Sequence, residues 1–205
     1  MTRMTLENLV VEVAAVPETC VYRWYELDLD APGGPVFGGA SVPVNVIAAT
    51  TRPSGDLPEI LGCLSGALVT HVQFETTGGP ADEAGVAAVR AHGRIPVPAL
   101  HVRESIANAA ELAARVRQLA RLDAPIVKLV YPAPTVEQVW MGLAILRDWP
   151  DTGPRLSLTP AGSRQGRVAA ALAGSRLTYV PLDTEDERMP ADWWRSVLEH
   201  AGVRS

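Results

Sequence analysis

A single lysine, Lys128, stands among 17 arginines in this chain. It lies in an otherwise apolar stretch, Ala124-Pro-Ile-Val-Lys-Leu-Val-Tyr131, which reads as a β-strand. Arginine supplies a fixed positive charge, but guanidinium does not deprotonate in proteins and cannot attack a carbonyl as a neutral amine. Lysine can. Among apolar strand neighbours, desolvation lowers its proton affinity, so Lys128 is a candidate Schiff-base nucleophile. The competing reading is a strand-end lysine paired with a carboxylate or reaching out to water. Base composition of the source genome would account for the missing lysines, but not for the position of the one that remains.

Four polar residues fall at or near the ends of strand-like segments: Arg52, His101, Lys128 and Thr159. Period-two alternation puts His101 on one face with Val97 and Ala99, and Lys128 on one face with Ile126 and Val130. On neighbouring strands, an inward His101 and an inward Lys128 would be adjacent, and a histidine there can shuttle protons near neutral pH. The next segment, Pro160-Ala-Gly-Ser-Arg-Gln-Gly-Arg167, opens a helix. Helix amino termini attract anions, and Arg164 and Arg167 add charge, so a substrate carboxylate or phosphate could sit there. His92 and His200 lie at helix carboxyl ends, and His71 alternates within a strand.

The elements that position these residues alternate. Strands are expected over 44–49, 70–75, 95–101, 125–131, 155–159 and 177–180. Helices are expected over 56–69, 81–91, 105–122, 135–149, 163–173 and 190–201. Such alternation on short connections means parallel strands with right-handed crossovers. Before Pro43, the segments 9–15 and 20–29 read as two further strands with no room for a helix between them, followed by a Gly/Pro-rich loop. The total of eight strands fits a (β/α)8 TIM barrel whose first two helices are reduced or missing, over residues 1–205 as a single domain with an atypical 1–43. The alternative, an open doubly wound sheet, lacks a Gly-x-Gly-x-x-Gly fingerprint. In such a barrel the site lies at the carboxyl ends of the strands, where the four polar residues fall.

Composition narrows the partners. The net charge is −5, the isoelectric point about 5.4, and no block of like charge suggests a nucleic-acid surface or a polybasic membrane patch. No run approaches the ~18 apolar residues of a membrane span, and the apolar start carries Glu12 and no basic leader, so a cytoplasmic protein is expected. Cys20 and Cys63 are too few for a disulfide framework or metal site and read as small buried residues. No metal or cofactor is implied.

The stretch from His101 to Lys128 resembles the type I 3-dehydroquinate dehydratases, Schiff-base (β/α)8 enzymes. In that family a histidine ends one strand, an amphipathic helix follows, and the imine-forming lysine lies on the next strand, which runs into a proline as Lys128-Leu-Val-Tyr-Pro132 does. Gly162-Ser-Arg-Gln-Gly-Arg167, Gly174-Ser175 and Leu177-Thr-Tyr179 are similar to the later signature and put Arg167 at the substrate-carboxylate arginine. Thr51-Arg52 resembles a strand-ending arginine, with Asp56 where the family has a glutamate that orients the histidine. The resemblance spans roughly 44–180 and identifies the chain as a divergent, N-terminally reduced member.

It implies dehydration of 3-dehydroquinate to 3-dehydroshikimate, in the shikimate pathway of aromatic amino acid biosynthesis. Lys128 forms the imine and His101 acts as general acid and base. Asp56 or Glu26 orients His101, while Arg167, Arg52 and Arg164 hold the substrate. Two departures point to altered substrate contacts. Trp24-Tyr-Glu-Leu-Asp28 keeps inward acids but has no following arginine, and the acidic loop 182–188 lacks the family's Ser and Gln. Imine chemistry on a different keto acid, or a non-catalytic barrel binding a partner, remain alternatives. A homodimer, with Trp193-Trp194 and the loop around Phe37 as contacts, would cover strands left bare by the missing helices.

Overall fold

A computed structural model describes residues 9–13, 15, 22–32, 44–64, 68–77, 79–181 and 190–200. The chain forms an eight-stranded, nearly closed parallel barrel: β1 (Leu9–Val13), β2 (Trp24–Asp28), β3 (Asn45–Pro53), β4 (His71–Glu75), β5 (Ile95–His101), β6 (Ile126–Pro132), β7 (Arg155–Ala161) and β8 (Thr178–Pro181). Strands neighbour one another in chain order, and β1 also pairs with β8. Six helices follow the strands from β3 onward: α1 (Leu57–Cys63), α2 (Pro80–Ala91), α3 (Ala109–Ala120), α4 (Val136–Asp148), α5 (Arg164–Leu172) and α6 (Ala191–His200). Among the described residues no helix follows β1 or β2. Loop 182–188, Cys20 and Phe37 lie outside the described residues.

The strands alternate as parallel barrel strands must. Their outward residues, such as Tyr25, Leu27, Phe74, Leu129 and Leu158, pack against the helices in two large clusters. Their inward residues fill the barrel with Val10, Trp24, Ile47, Val97, Ile126 and Tyr179, which form a third cluster. His71 belongs to the floor: it is 4% exposed, its Nδ1 lies 2.8 Å from Thr70 Oγ1, and its ring lies 4.7 Å from that of Trp24.

Two helices differ from expectation, for local reasons. A single 3-10 turn, Ser54–Asp56, precedes α1, which ends at Cys63; that cysteine is exposed rather than buried. Helix α3 begins at Ala109, not at 105, because the Asn108 side chain accepts the Glu111 backbone N–H and stops the helix from extending backward. On α4, Gly142 lies so close to the Tyr131 hydroxyl that a Cβ would collide with it, so the glycine sets how near this helix comes to β6.

The β7–β8 seam is closed by side chains as much as by backbone. The Arg176 N–H donates to the Leu156 carbonyl at 2.8 Å. Beyond it, the Leu158 N–H donates to Ser175 Oγ at 2.9 Å, and the Ser175 hydroxyl reaches the Leu158 carbonyl at 3.1 Å. Ser157 Oγ donates to the Leu177 carbonyl at 2.8 Å. Ser175 is 1% exposed, so water cannot replace its hydroxyl. Ser175→Ala is expected to cost about 1–3 kcal/mol, the penalty for leaving a buried backbone group unpaired. Urea unfolding at equilibrium reads this directly; an unchanged midpoint would show that the seam does not depend on the serine.

Candidate functional site

At the carboxyl ends of the strands the barrel opens into a cavity of about 600 Å³, a size suited to a small ligand. Lys128 projects into it from the middle of β6 and is 6% exposed. Its Nζ–H donates to Gln73 Oε1 at 3.0 Å, lies 3.5 Å above the centre of the Tyr179 ring, and is 3.8 Å from Glu26 Oε2. Burial lowers its proton affinity; Glu26 and Glu12 oppose that shift, and Arg167 adds to it. The lysine is therefore a buried strand residue inside the barrel. It does not snorkel to bulk water, and its ion pair with Glu26 is a long one at 3.8 Å.

His101, half-buried at the end of β5, lines the same cavity. In the β5–β6 register Ala99 pairs with Lys128 and His101 with Val130, so the imidazole stands two residues above the amine on the adjacent strand. Its orienting carboxylate is Glu75, at the end of β4, and neither Asp56 nor Glu26. The His101 backbone N–H donates to Glu75 Oε1 at 2.8 Å, and Nδ1 donates to Oε2 at 2.6 Å. This grip fixes both ring orientation and tautomer, leaving Nε2 as the nitrogen available for proton transfer.

The remaining expected residues separate. Arg167, on the first turns of α5, is half-buried and lines the cavity with Thr159 of β7. Glu26 also lines it, from β2. Asp56 is exposed at the start of α1, away from the cavity. Arg52 turns into a neighbouring cleft of about 240 Å³, where its Nε lies 3.4 Å from Asp30 Oδ1. Asp30 also accepts the Thr51 backbone N–H at 2.7 Å and the Thr50 and Thr51 hydroxyls, which ties Arg52 to the β2–β3 edge. Arg164 is exposed beside a smaller cleft next to Arg167.

Gln73, Glu12 and Tyr179 on the cavity wall, and Glu75 behind His101, receive no role from a reading of the sequence alone. Gln73 and Glu75 occupy successive inward positions on β4, and that period-two signal could have marked them. Glu12 reads in the sequence only as a charge within an apolar start. In the structure it sits directly beside Glu26 in the β1–β2 register.

The fold is similar to several solved enzymes. The 3-dehydroquinate dehydratase from Geobacillus kaustophilus aligns at 20% identity over 88% of this chain and 68% of its own, with a TM-score of 0.66. The type I 3-dehydroquinate dehydratase from Clostridium difficile, solved with covalently modified comenic acid, aligns at 11% identity over 98% and 93%, with a TM-score of 0.72. N-(5'-phosphoribosyl)anthranilate isomerase from Pyrococcus furiosus aligns at 10% over 95% and 98%, with a TM-score of 0.63. No protein-family model matches the chain, and no curated protein sequence matches it. At these identities the likeness establishes the barrel and leaves the reaction to the residues in the cavity. No helix among the described residues is long and apolar enough to cross a membrane.

Burial raises the Glu26 carboxyl from an ordinary 4.5 to about 6, with Glu12 and Asp28 adding to the shift and Lys128 opposing it. The folded protein therefore holds this proton more tightly than the unfolded chain. The stability this contributes is complete below pH 4.5 and lost as pH rises through about 6. A shift of this size is worth about 2 kcal/mol. Glu26→Gln should gain roughly that much stability relative to the parent as pH rises from 4 to 7. Urea unfolding across that range tests it; a pH-independent difference would show that the carboxyl titrates normally.

Proposed function

We propose that this barrel is an imine-forming carbon–oxygen lyase acting on a β-hydroxy ketone that carries a carboxylate. The carrying observation is Lys128, the chain's one amine side chain, buried at the barrel mouth beside a histidine locked by Glu75. Structural likeness to 3-dehydroquinate dehydratases supports the same reading.

In this mechanism Lys128 attacks the ketone as the neutral amine, whose population burial increases. His101 Nε2 hands a proton to the carbinolamine oxygen, which leaves as water and gives the iminium. The iminium withdraws electrons from the adjacent carbon, and His101 takes a proton from it. The resulting enamine expels the β-hydroxyl, which takes a proton from His101 and departs as water. A second water adds to the unsaturated iminium and releases the enone and the free amine. Arg167 pairs with the substrate carboxylate, with two parallel hydrogen bonds favoured. Glu75 keeps the imidazole aimed.

3-Dehydroquinate is the first substrate to test. A different keto acid is the second reading, favoured by Asp28 and Glu12 on the cavity wall, which would repel a purely anionic ligand. With 3-dehydroquinate and borohydride, intact-protein mass should show one reduced adduct that is absent from Lys128→Ala. Turnover should appear as near-ultraviolet absorbance of the enone. An adduct without enone would keep the imine and reject this dehydration. No adduct with any ketone, in folded protein, would reject the lyase.

On whichever ketone forms the adduct, Glu75→Gln should lower kcat about 100-fold by loosening the imidazole. Asp56→Asn should leave kcat unchanged. Steady-state kinetics of both variants checks this assignment, and the opposite pattern would return the orienting role to Asp56.

A further inference from the structure

Among the described residues, Lys128 Nζ makes one hydrogen bond, to Gln73 Oε1 at 3.0 Å. The two residues lie on strands that are not neighbours. Gln73 pairs with Val97 of β5 and Lys128 with Ala99, so the glutamine reaches across β5, where the inward residue level with Lys128 is small. A glutamine buried to 5% exposure loses rotamer freedom and hydration that a leucine would not. Its amide must be placed to good effect.

Lysine has donors and no acceptor, so Gln73 turns its oxygen to Lys128 and its amide nitrogen away. That nitrogen makes no hydrogen bond among the described residues. It differs from Glu26 Oε2 and Tyr179 Oη, which are closed off without a hydrogen bond: the amide nitrogen is not sealed in this way, and Gln73 lines the cavity with Lys128 and His101. Two N–H donors are therefore presented to the cavity beside the nucleophile. A neutral amine has two N–H bonds and one lone pair. Gln73 Oε1 accepts one N–H, and the Tyr179 ring face, 3.5 Å from Nζ, is an acceptor for the other. The lone pair is left for the ketone. A ketone joined to Lys128 carries nitrogen and oxygen on one carbon, and the Gln73 amide does the same. The two units match edge to edge, Nζ–H to Oε1 and Nε2–H to the ketone oxygen, in a ring closed by two hydrogen bonds.

We infer that Gln73 is a catalytic residue of the proposed reaction: its amide oxygen aims the Lys128 amine, and its amide nitrogen holds the ketone oxygen as negative charge builds there. The inference rests on the imine reading of Lys128. In this step the amine's lone pair forms the C–N bond and the C=O pair moves onto oxygen. One proton passes, by way of His101, from that nitrogen to that oxygen, and His101 supplies the second as water leaves. An N–H held at a developing oxyanion stabilises the transition state more than the ketone. The amide also leaves the charge balance of the amine alone. Burial disfavours the protonated amine, Glu26, Glu12 and Glu75 favour it, and Arg167 opposes it. A carboxylate at position 73 would join the three that favour it.

Gln73→Leu and Gln73→Glu test both ends of the amide. The ketone probes are 3-dehydroquinate and 4-oxopentanoate, trapped with cyanoborohydride and read by mass on the Lys128 peptide across pH. Acrylonitrile is the control, because it alkylates a neutral amine and has no ketone oxygen. Gln73→Leu should slow ketone trapping about 100-fold on the alkaline plateau, where the amine is neutral, and leave acrylonitrile alkylation near the parent rate. Gln73→Glu should lower the same plateau and move the pH midpoint of trapping upward. Equal losses for ketone and acrylonitrile in Gln73→Leu would show that the amide only holds the lysine in place, and would overturn the inference. An unchanged ketone plateau in either variant would also overturn it. Circular dichroism reports folding; if Gln73→Leu does not fold, the plateau of the near-isosteric Gln73→Glu decides. Trapping by the parent with undiminished variants removes this role alone, whereas no adduct on either ketone in the parent removes the imine reading and this role with it.

Discussion

Burying one amine inside a parallel barrel is the constraint on which the site depends. A protonated lysine in this position loses most of its hydration, a cost that only close partners can repay. The partners present repay it in part. Gln73 accepts one hydrogen bond, the Tyr179 ring offers its negative face, and Glu26 stands 3.8 Å away without a hydrogen bond. A bidentate or closely paired carboxylate would have held the proton firmly. Burial lowers the proton affinity of the amine, and these partners offset that only in part.

The barrel supplies this environment through register rather than through local sequence. Alternation turns Lys128, His101, Glu26, Glu12 and Tyr179 inward from five strands, while the residues between them face the helices. The inward apolar cluster of Val10, Trp24, Ile47, Val97 and Ile126 lies beneath these residues and closes the barrel against water from its amino end. The polar layer can therefore be dry on one side and open on the other. Slipping β6 by a single residue would exchange an apolar packing residue for the charge of Lys128. The serine seam between β7 and β8 guards the register nearest Thr159 and Tyr179.

Much of this is legible in the sequence because alternation carries it. Lys128 sits among apolar strand residues, His101 ends a strand, and Arg167 opens a helix; each is read from its own neighbours. What escapes the sequence is pairing between strands. Glu75 holds His101 across the β4–β5 boundary, and its distance of 26 residues along the chain says nothing until the register is known. Asp56 looks suitable by its interval from Arg52, yet the 3-10 turn at Ser54–Asp56 leaves its side chain exposed. Arg52 falls at a strand end, as expected, but Asp30 and the Thr50–Thr51 hydroxyls hold that edge together and draw it into the next cleft. The α3 boundary shifts for a local reason instead: a single Asn108 cap outweighs three residues of favourable pattern.

The carboxylates near Lys128 have a consequence for the proposed chemistry that concerns timing rather than binding. The proposed attack needs the neutral amine, a form from which Glu26 and Glu12 gain little. After water leaves, the iminium carries a full positive charge at nearly the same position. A carboxylate 3.8 Å from that nitrogen then interacts with it across a medium of low dielectric. The carboxylates thus favour the charged intermediate over the neutral amine, which is the form of stabilisation that accelerates a reaction rather than merely tightening binding. The same burial that raises the Glu26 carboxyl to about 6 keeps a fraction of it protonated near neutral pH, so it neither locks the lysine into a permanent ion pair nor abandons the iminium once formed. Weak pairing before the step and strong pairing after it arise from one geometry, because the charge moves while the side chains do not.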